Sequence, residues 1–180
     1  TRVPLSVQVA HYYRHSFKDG VLWAEASSDP ATIAERWAAA YGFDFRGVPR
    51  IEDRLAAVRG MLAEKQALIV VDGVDVAARV KPLIPTEGQS VVLFTTRNAD
   101  LAHTLGAELL NLDVLTPENG RFLLSTIIGK TRVHEEQVSA DAICQMLQNL
   151  PLALTIAGQY LVARPRRRLQ EFQQRLEASK

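Results

Sequence analysis

The sequence predicts an α/β fold, with three layers around a parallel sheet, followed by a small helical bundle. Short apolar runs rich in β-branched residues alternate with segments whose apolar residues recur at helical spacing. Strands covered by helices on both faces have this continuous apolar character, and alternating strands and helices build parallel sheets. After about residue 115 no strand-like run is visible and only helical patterns remain. We therefore predict an α/β domain at 1–115 and a helical subdomain at 116–180.

Four apolar runs are the candidate strands, at 21–24, 67–71, 91–94 and 109–114. The second and third runs are the most continuous and indicate strands buried on both faces. Three helical stripes accompany them, and each carries apolar residues three or four positions apart, so that one face of the helix is apolar. Their apolar residues are Leu5, Val9 and Tyr12; Ile33, Trp37 and Ala40; and Leu55, Val58 and Leu62.

The C-terminal part begins with a helix-start signature at 116–118. Thr116 supplies an N-cap hydroxyl, Pro117 suits the first helical position, and Glu118 places an acid in the first turn. A run of four arginines and one proline at 164–168 is expected to open the last helix. The predicted helices of this part are 117–128, 135–148, 151–163 and 166–178.

The composition indicates the cellular compartment and excludes some classes of binding partner. With 21 basic and 20 acidic residues the net charge is +1, so no overall field attracts nucleic acid or a membrane surface. The only cysteine, Cys144, excludes an internal disulfide framework and favours a reducing compartment. No apolar run reaches the roughly 18–20 residues of a membrane span, and no signal peptide is visible. We therefore expect a cytoplasmic protein without a membrane or nucleic-acid partner. Because the sequence does not begin with Met, we also expect a piece of a longer protein.

Polar side chains follow two of the candidate strands. Asp72 ends one apolar run, and Thr95, Thr96 and Arg97 end the next. Ligands of open α/β sheets bind beyond the carboxyl ends of the strands, where a carboxylate can hold magnesium and an arginine fork can bind phosphate. The simpler interpretations are that Asp72 and Gly73 open a turn and that the Thr-Thr-Arg segment is an exposed loop.

Four segments, in order along the chain, resemble motifs of the NB-ARC family of STAND-type signalling P-loop ATPases. Residues 67–75, Ala-Leu-Ile-Val-Val-Asp-Gly-Val-Asp, are similar to the family's Walker B strand. Residues 92–97, Val-Leu-Phe-Thr-Thr-Arg, resemble its next strand, which ends in Thr-Thr-Arg. Residues 149–154, Asn-Leu-Pro-Leu-Ala-Leu, resemble its Gly-Leu-Pro-Leu-Ala-Leu motif. Residues 19–23, Asp-Gly-Val-Leu-Trp, resemble the strand that follows its first helix.

The resemblance implies a P-loop NTPase-like domain and an ARC-type helical subdomain that bind ADP or ATP with Mg²⁺. Asp72 would coordinate the magnesium ion. Thr96 and Arg97 would contact the terminal phosphate, and Pro151 and Leu152 would pack near the adenine. In this family ADP holds a closed monomer and exchange for ATP permits self-assembly. The implied partners are therefore the nucleotide and either further copies or neighbouring domains of a larger signal-transduction protein.

Two departures from the family pattern bear on activity. The phosphate-binding loop G-x-x-x-x-G-K-[ST] does not match where it should lie, at residues 1–4, so it is missing from this chain or replaced. Gly73 stands where family members often carry a second acid, and Asp75 lies two residues later. A missing second acid weakens the activation of a hydrolytic water. We therefore expect slow hydrolysis at best, and a molecular switch rather than a metabolic enzyme.

Two other hypotheses remain. A domain of this fold that lacks the loop would act as a nucleotide-free interaction scaffold. Alternatively, Asp72 with Thr95 or Thr96 at the next strand end is the pair that a receiver-like phosphoacceptor domain requires. No acidic pair follows an early strand and no lysine ends the run at 109–114, which argues against the receiver hypothesis.

Overall fold

Strand β2 (Leu68–Val74) is the central strand of a three-stranded parallel sheet, between β1 (Val21–Glu25) and β3 (Val91–Thr96). The computed structural model describes residues 5–178. The fold is α/β, as predicted, and the three strands coincide with three of the four predicted runs. β2 extends three residues beyond its predicted end and therefore contains Asp72.

The chain divides into two units, which we call the sheet unit, up to Leu109, and the helical unit, from Leu110. The prediction from the sequence alone placed the joint near residue 115. Among the described residues, no helix combines the length and apolar character that crossing a membrane requires.

One face of the sheet carries the helices that connect the strands. α2 (Pro30–Ala40) and α3 (Ile51–Ala63) lie between β1 and β2, and α4 (Ala77–Val80) lies between β2 and β3. α5 (Asp100–Leu105) follows β3 and packs against the same core through Leu101. Burial of each large aliphatic side chain stabilises the fold by about 1.5–3 kcal/mol. The strand residues in this core are Leu22, Ala24, Ile69, Val71, Val74, Val92 and Phe94.

The opposite face of the sheet is covered by α1 (Leu5–Tyr13). Ala10 of this helix packs against Leu68 and Val70, which alternate along β2 with the residues that face α2 and α3. Because successive side chains of a strand point to opposite faces, this alternation shows that α1 lies across the sheet from the connecting helices. The sheet unit therefore has three layers, as the sequence predicted.

The fourth predicted strand, at 109–114, is wrong. Those residues form neither strand nor helix, and Leu110 is 83% exposed and Leu112 72% exposed. A strand needs a hydrogen-bonded neighbour, and none of the described strands pairs with this segment. The apolar run predicted a strand, but an apolar run in the sequence does not identify a pairing partner.

Within residues 110–178 the helical unit has five helices: α6 (Pro117–Ile128), α7 (Lys130–Glu135), α8 (Gln137–Met146), α9 (Pro151–Val162) and α10 (Leu169–Glu177). The first and fourth match their predicted spans closely. The segment predicted as a single helix at 135–148 begins later, at Gln137, after the separate short helix α7. The core of this unit contains Leu124, Ile143, Leu154, Leu161 and Leu169, all fully buried.

Local signals explain where helices of this unit begin and end. The Thr116 hydroxyl accepts the Asn119 N–H at 3.3 Å, which confirms the predicted N-cap of α6. Gly129, with a φ of 99°, ends α6. The arginines at 164–168 do not open the last helix, because 165–167 form a turn and α10 begins only at Leu169.

Cys144 lies inside the core of the helical unit, as its neighbours in the sequence predict. Burial is the main cause that raises the pKa of its thiol to about 11, and the charge of Asp141 adds to the effect. The thiol is therefore neutral at physiological pH and packs as a small apolar group.

Candidate functional site

The carboxyl end of β2 contains a β-bulge. Val71 pairs with Phe94 and Val74 pairs with Thr96, so Asp72 and Gly73 together lie opposite the single residue Thr95. Gly73 has a φ of 73°, a left-handed conformation that glycine adopts without strain. Asp72 therefore does not open a turn: it lies within the strand, at a bulge of the kind that redirects side chains beside active sites.

The Asp72 carboxylate is held by side chains from two neighbouring elements. The Thr95 hydroxyl donates to Oδ1 of Asp72 at 2.7 Å, and it accepts the Gly73 N–H at 2.8 Å. One hydroxyl thus links the carboxylate to the backbone of the bulge and fixes the side chain of Asp72 in place. Each of these bonds also connects β2 to β3, so the cluster depends on the pairing of the two strands.

Ser6 of α1 is a further member of this cluster that the sequence analysis did not single out. Its hydroxyl donates to Oδ1 of Asp72 at 3.4 Å, and the residue is only 5% exposed. Among the described residues it is the only polar one in the buried core of the fold. The sequence pattern did not mark it, because the buried residues of α1 are Ser6 and Ala10, whereas Leu5 and Tyr12 of the predicted apolar stripe are 52% and 78% exposed.

The other residues predicted at this end of the sheet have different surroundings. The Thr96 hydroxyl accepts the Asn98 N–H at 3.0 Å and so orders the loop that follows β3. Arg97 is exposed directly after the strand. Asp75 is exposed, just beyond the end of β2. Of the two adjacent threonines it is therefore Thr95, and not Thr96, whose hydroxyl bonds Asp72.

Pro151 and Leu152 are the first residues of α9 in the helical unit, and both are exposed. Asn149, two residues before Pro151, has a φ of 51° and takes the place of the glycine in the motif that this segment resembles. Asparagine tolerates the left-handed conformation better than most residues, so the substitution is compatible with the same turn. Asn149 also accepts the Leu115 N–H through its carbonyl at 3.2 Å, which fixes the start of α9.

The Asp72 cluster offers a metal ion only one carboxylate and two hydroxyls as ligands. The described residues contain no group of three or more His, Cys, Asp and Glu side chains suited to a metal ion. Magnesium is commonly held by one or two carboxylates, with phosphate oxygens and waters completing the shell. The cluster therefore suits a magnesium ion that arrives with a phosphate ligand, not an ion enclosed by the protein alone.

The predicted position of the phosphate loop, residues 1–4, lies outside the described residues. α1 begins next to them at Leu5, and Ser6 places its first turn beside Asp72.

The fold and this cluster define the class: a parallel-sheet α/β unit with a polar carboxyl edge, followed in the chain by a helical unit. Over 172 residues the chain is 34% identical to the regulatory protein AfsR of Streptomyces coelicolor and 33% identical to the regulatory protein AfsR of Streptomyces griseus. Each match covers 91% of the chain but only 17% of the relative, so the chain aligns with one segment of each relative. No family model matches the chain. The chain is thus homologous to part of two regulatory proteins.

Proposed function

We propose that the chain is the adenine-nucleotide-binding switch module of a larger signal-transduction protein. The observation that carries the proposal is the cluster of Asp72, Thr95 and Ser6 at the carboxyl edge of the sheet. Open α/β sheets bind ligands at this edge. A carboxylate whose position is fixed by strand-borne and helix-borne hydroxyls suits a metal-bound phosphate group.

In this proposal Asp72 binds Mg²⁺, directly or through water, while Thr95 keeps its carboxylate oriented. Carboxylate oxygens have several lone pairs, so the bond from Thr95 to Oδ1 leaves the other oxygen available to the ion. Arg97, exposed after β3, would bond the terminal phosphate with its planar fork. Thr96 would support that loop through its bond to Asn98.

The helical unit would contribute to the nucleotide through the start of α9. Pro151 and Leu152 are exposed apolar residues there, held by the turn at Asn149. Exposed apolar groups at the rigid start of a helix suit contact with an adenine ring, which buries apolar area on both sides. The switch function follows if ADP and ATP favour different arrangements of the protein, because a ligand shifts an equilibrium only through differential affinity.

A further strand beside β3 would complete the site. β1, β2 and β3 follow one another across the sheet, and the helices between them lie on one face. α1 lies on the other face. Because crossovers between parallel strands are nearly always right-handed, a helix on that face belongs to a crossover running the opposite way, from the β3 side towards β1.

A strand that leads into α1 would therefore pair with the free edge of β3. The carboxyl end of that strand would then lie at the same edge of the sheet as Asp72, where ligands of such sheets bind. The partial exposure of every residue of β3 agrees with a neighbour at this edge.

Hydrolysis by such a module would be slow. Gly73 offers no second carboxylate beside Asp72, and Asp75 is exposed, beyond the end of β2. A water positioned by one metal-bound acid lacks a strong general base. A long-lived nucleotide state is what a switch in a regulatory protein needs, and the relatives are regulatory proteins.

The mismatch of residues 1–4 with a phosphate loop favours the second candidate, a nucleotide-free scaffold. Titration with a fluorescent ADP analogue, with magnesium and then with EDTA, distinguishes the two. The switch proposal predicts binding that weakens at least about tenfold without magnesium, since a metal-bridged phosphate contact is lost.

The matched variants are Pro151→Ala and Pro117→Ala, because both prolines are the first residues of helices. Pro151→Ala should weaken binding, and Pro117→Ala should not. Absence of binding would favour the scaffold, and equal effects of the two variants would refute the proposed role of Pro151.

A further inference from the structure

The connection between α9 and α10 concentrates positive charge. Arg164, Arg166, Arg167 and Arg168 occupy four of five consecutive positions, in a chain whose net charge is only +1. All are exposed except Arg167, which is half-buried. The salt bridges found among residues 5–178 include none of these four guanidinium groups. We call this group the arginine turn.

An aromatic pair orders two of these side chains. Tyr160 of α9 stacks on Phe172 of α10, with ring centroids 5.2 Å apart. The Arg164 guanidinium lies 4.0 Å from the centroid of the Tyr160 ring, and Arg167 donates to the Tyr160 hydroxyl. Cation–π contact fixes an arginine without neutralising it, so both groups keep their full charge and have less conformational entropy to lose on binding.

Hydrogen bonds from Arg132 of α7 fix the backbone of the arginine turn. Its guanidinium donates to the carbonyls of Leu161, at 3.0 Å, and of Arg164 and Arg167. The single guanidinium of Arg132 thus satisfies three carbonyl groups, at the end of α9 and in the turn. The turn is therefore ordered by side chains from α7, α9 and α10 before any ligand binds.

We propose that the arginine turn binds a small ligand that carries two or more directly linked phosphates. The guanidinium fork matches phosphate oxygens, and charge-assisted pairs of this kind are the stronger hydrogen bonds of proteins. A shallow pocket between the side chains is lined by Arg164, Pro165, Arg166, Arg167 and Glu171. Glu171 is the single acid of this lining, so the pocket keeps a net positive charge.

The density of the charges favours linked phosphates over other anions. The three guanidinium groups that line the pocket, those of Arg164, Arg166 and Arg167, suit a dense anion. The carboxylates of a peptide lie on separate, flexible side chains that must each be ordered. A nucleic acid strand is also disfavoured, because proteins bind single strands on exposed aromatic rings. The Tyr160 ring is already covered by Phe172 and Arg164.

Calorimetric titration of the whole chain with tripolyphosphate, at low ionic strength and in EDTA, tests the proposal. Chelation prevents any metal-bridged binding at Asp72, so failure here is independent of the nucleotide proposal. Arg166→Gln removes an exposed guanidinium and should weaken binding about tenfold, the effect of one charge-assisted contact. Arg50→Gln removes another exposed arginine, in the sheet unit, and should leave binding within about twofold.

Further titrations identify which kind of phosphate compound binds. Orthophosphate should bind much more weakly than tripolyphosphate. ATP in EDTA that matches tripolyphosphate would indicate a nucleoside polyphosphate, and weaker ATP binding would indicate an inorganic chain. The proposal is overturned if tripolyphosphate gives no signal, if Arg50→Gln and Arg166→Gln act equally, or if an acidic peptide or single-stranded oligonucleotide binds more tightly.

Discussion

β2 and β3 have similar apolar sequences but different surroundings. The first four residues of β2, at 68–71, are all buried, and Val70 is completely inaccessible. The four apolar residues of β3, at 91–94, are all at least partly exposed, and Val91 is 51% exposed. Apolar sequence shows that a strand can be buried, whereas its neighbours decide whether it is. The contrast supports the proposal of a further strand beside β3.

Amide hydrogen exchange measures this contrast with the largest expected effect. β2 is bonded on both sides, so its amides should exchange only through global unfolding. On β3, alternate N–H groups point away from β2 and should exchange about 1,000-fold faster or more, because global unfolding of a domain costs at least about 5 kcal/mol. Equal protection of the two strands would mean that the outer edge of β3 is already covered.

Truncation of one side chain in each strand should also distinguish β2 from β3, by a smaller difference in the free energy of unfolding. Ile69→Ala in β2 empties a fully buried site and should lower the free energy of unfolding by about 3–4 kcal/mol. Leu93→Ala in β3 removes a half-buried side chain and should cost about 1–1.5 kcal/mol. Urea denaturation gives both values. Similar losses of stability would contradict the conclusion that β2 is more deeply buried than β3.

The bond between the two strands at the site should give the smallest of the three effects. Thr95→Val removes the donor to Asp72 and the acceptor of the Gly73 N–H, and should cost about 1–2 kcal/mol of stability. Thr96→Val is the control, because it removes bonds within an exposed loop and should cost less than about 1 kcal/mol. Thermal unfolding compares them, and the reverse order would contradict the assignment of Thr95 to the cluster.

The sequence predicted the strands well because the runs at 21–24, 67–71 and 91–94 are apolar without interruption. It failed at 109–114, where an apolar run alone cannot supply a hydrogen-bonded neighbour. The short helices α4 and α5 were missed because a single helical turn leaves almost no periodic signal. The arginines at 164–168 were placed in a helix, although the residue before Pro165 and the proline itself favour a turn.

The candidate site was only partly visible in the sequence. Asp72 and the threonines were found from their position at strand ends. The choice between Thr95 and Thr96 depends on the bulge at Gly73, which sets which hydroxyl faces Asp72. Ser6 lies 66 positions from Asp72, and only the packing of α1 on the sheet brings them together.

The most direct test of the nucleotide-switch proposal is calorimetric titration of the chain with ADP and magnesium, comparing Asp72→Asn with Asp75→Asn. Both variants remove one negative charge near the end of β2, but only Asp72 is bonded to Thr95 and Ser6. We predict that ADP binds and that Asp72→Asn weakens the affinity at least about tenfold, a loss of about 1.4 kcal/mol, while Asp75→Asn changes it little. Absence of ADP binding, or equal effects of the two variants, would contradict the proposal.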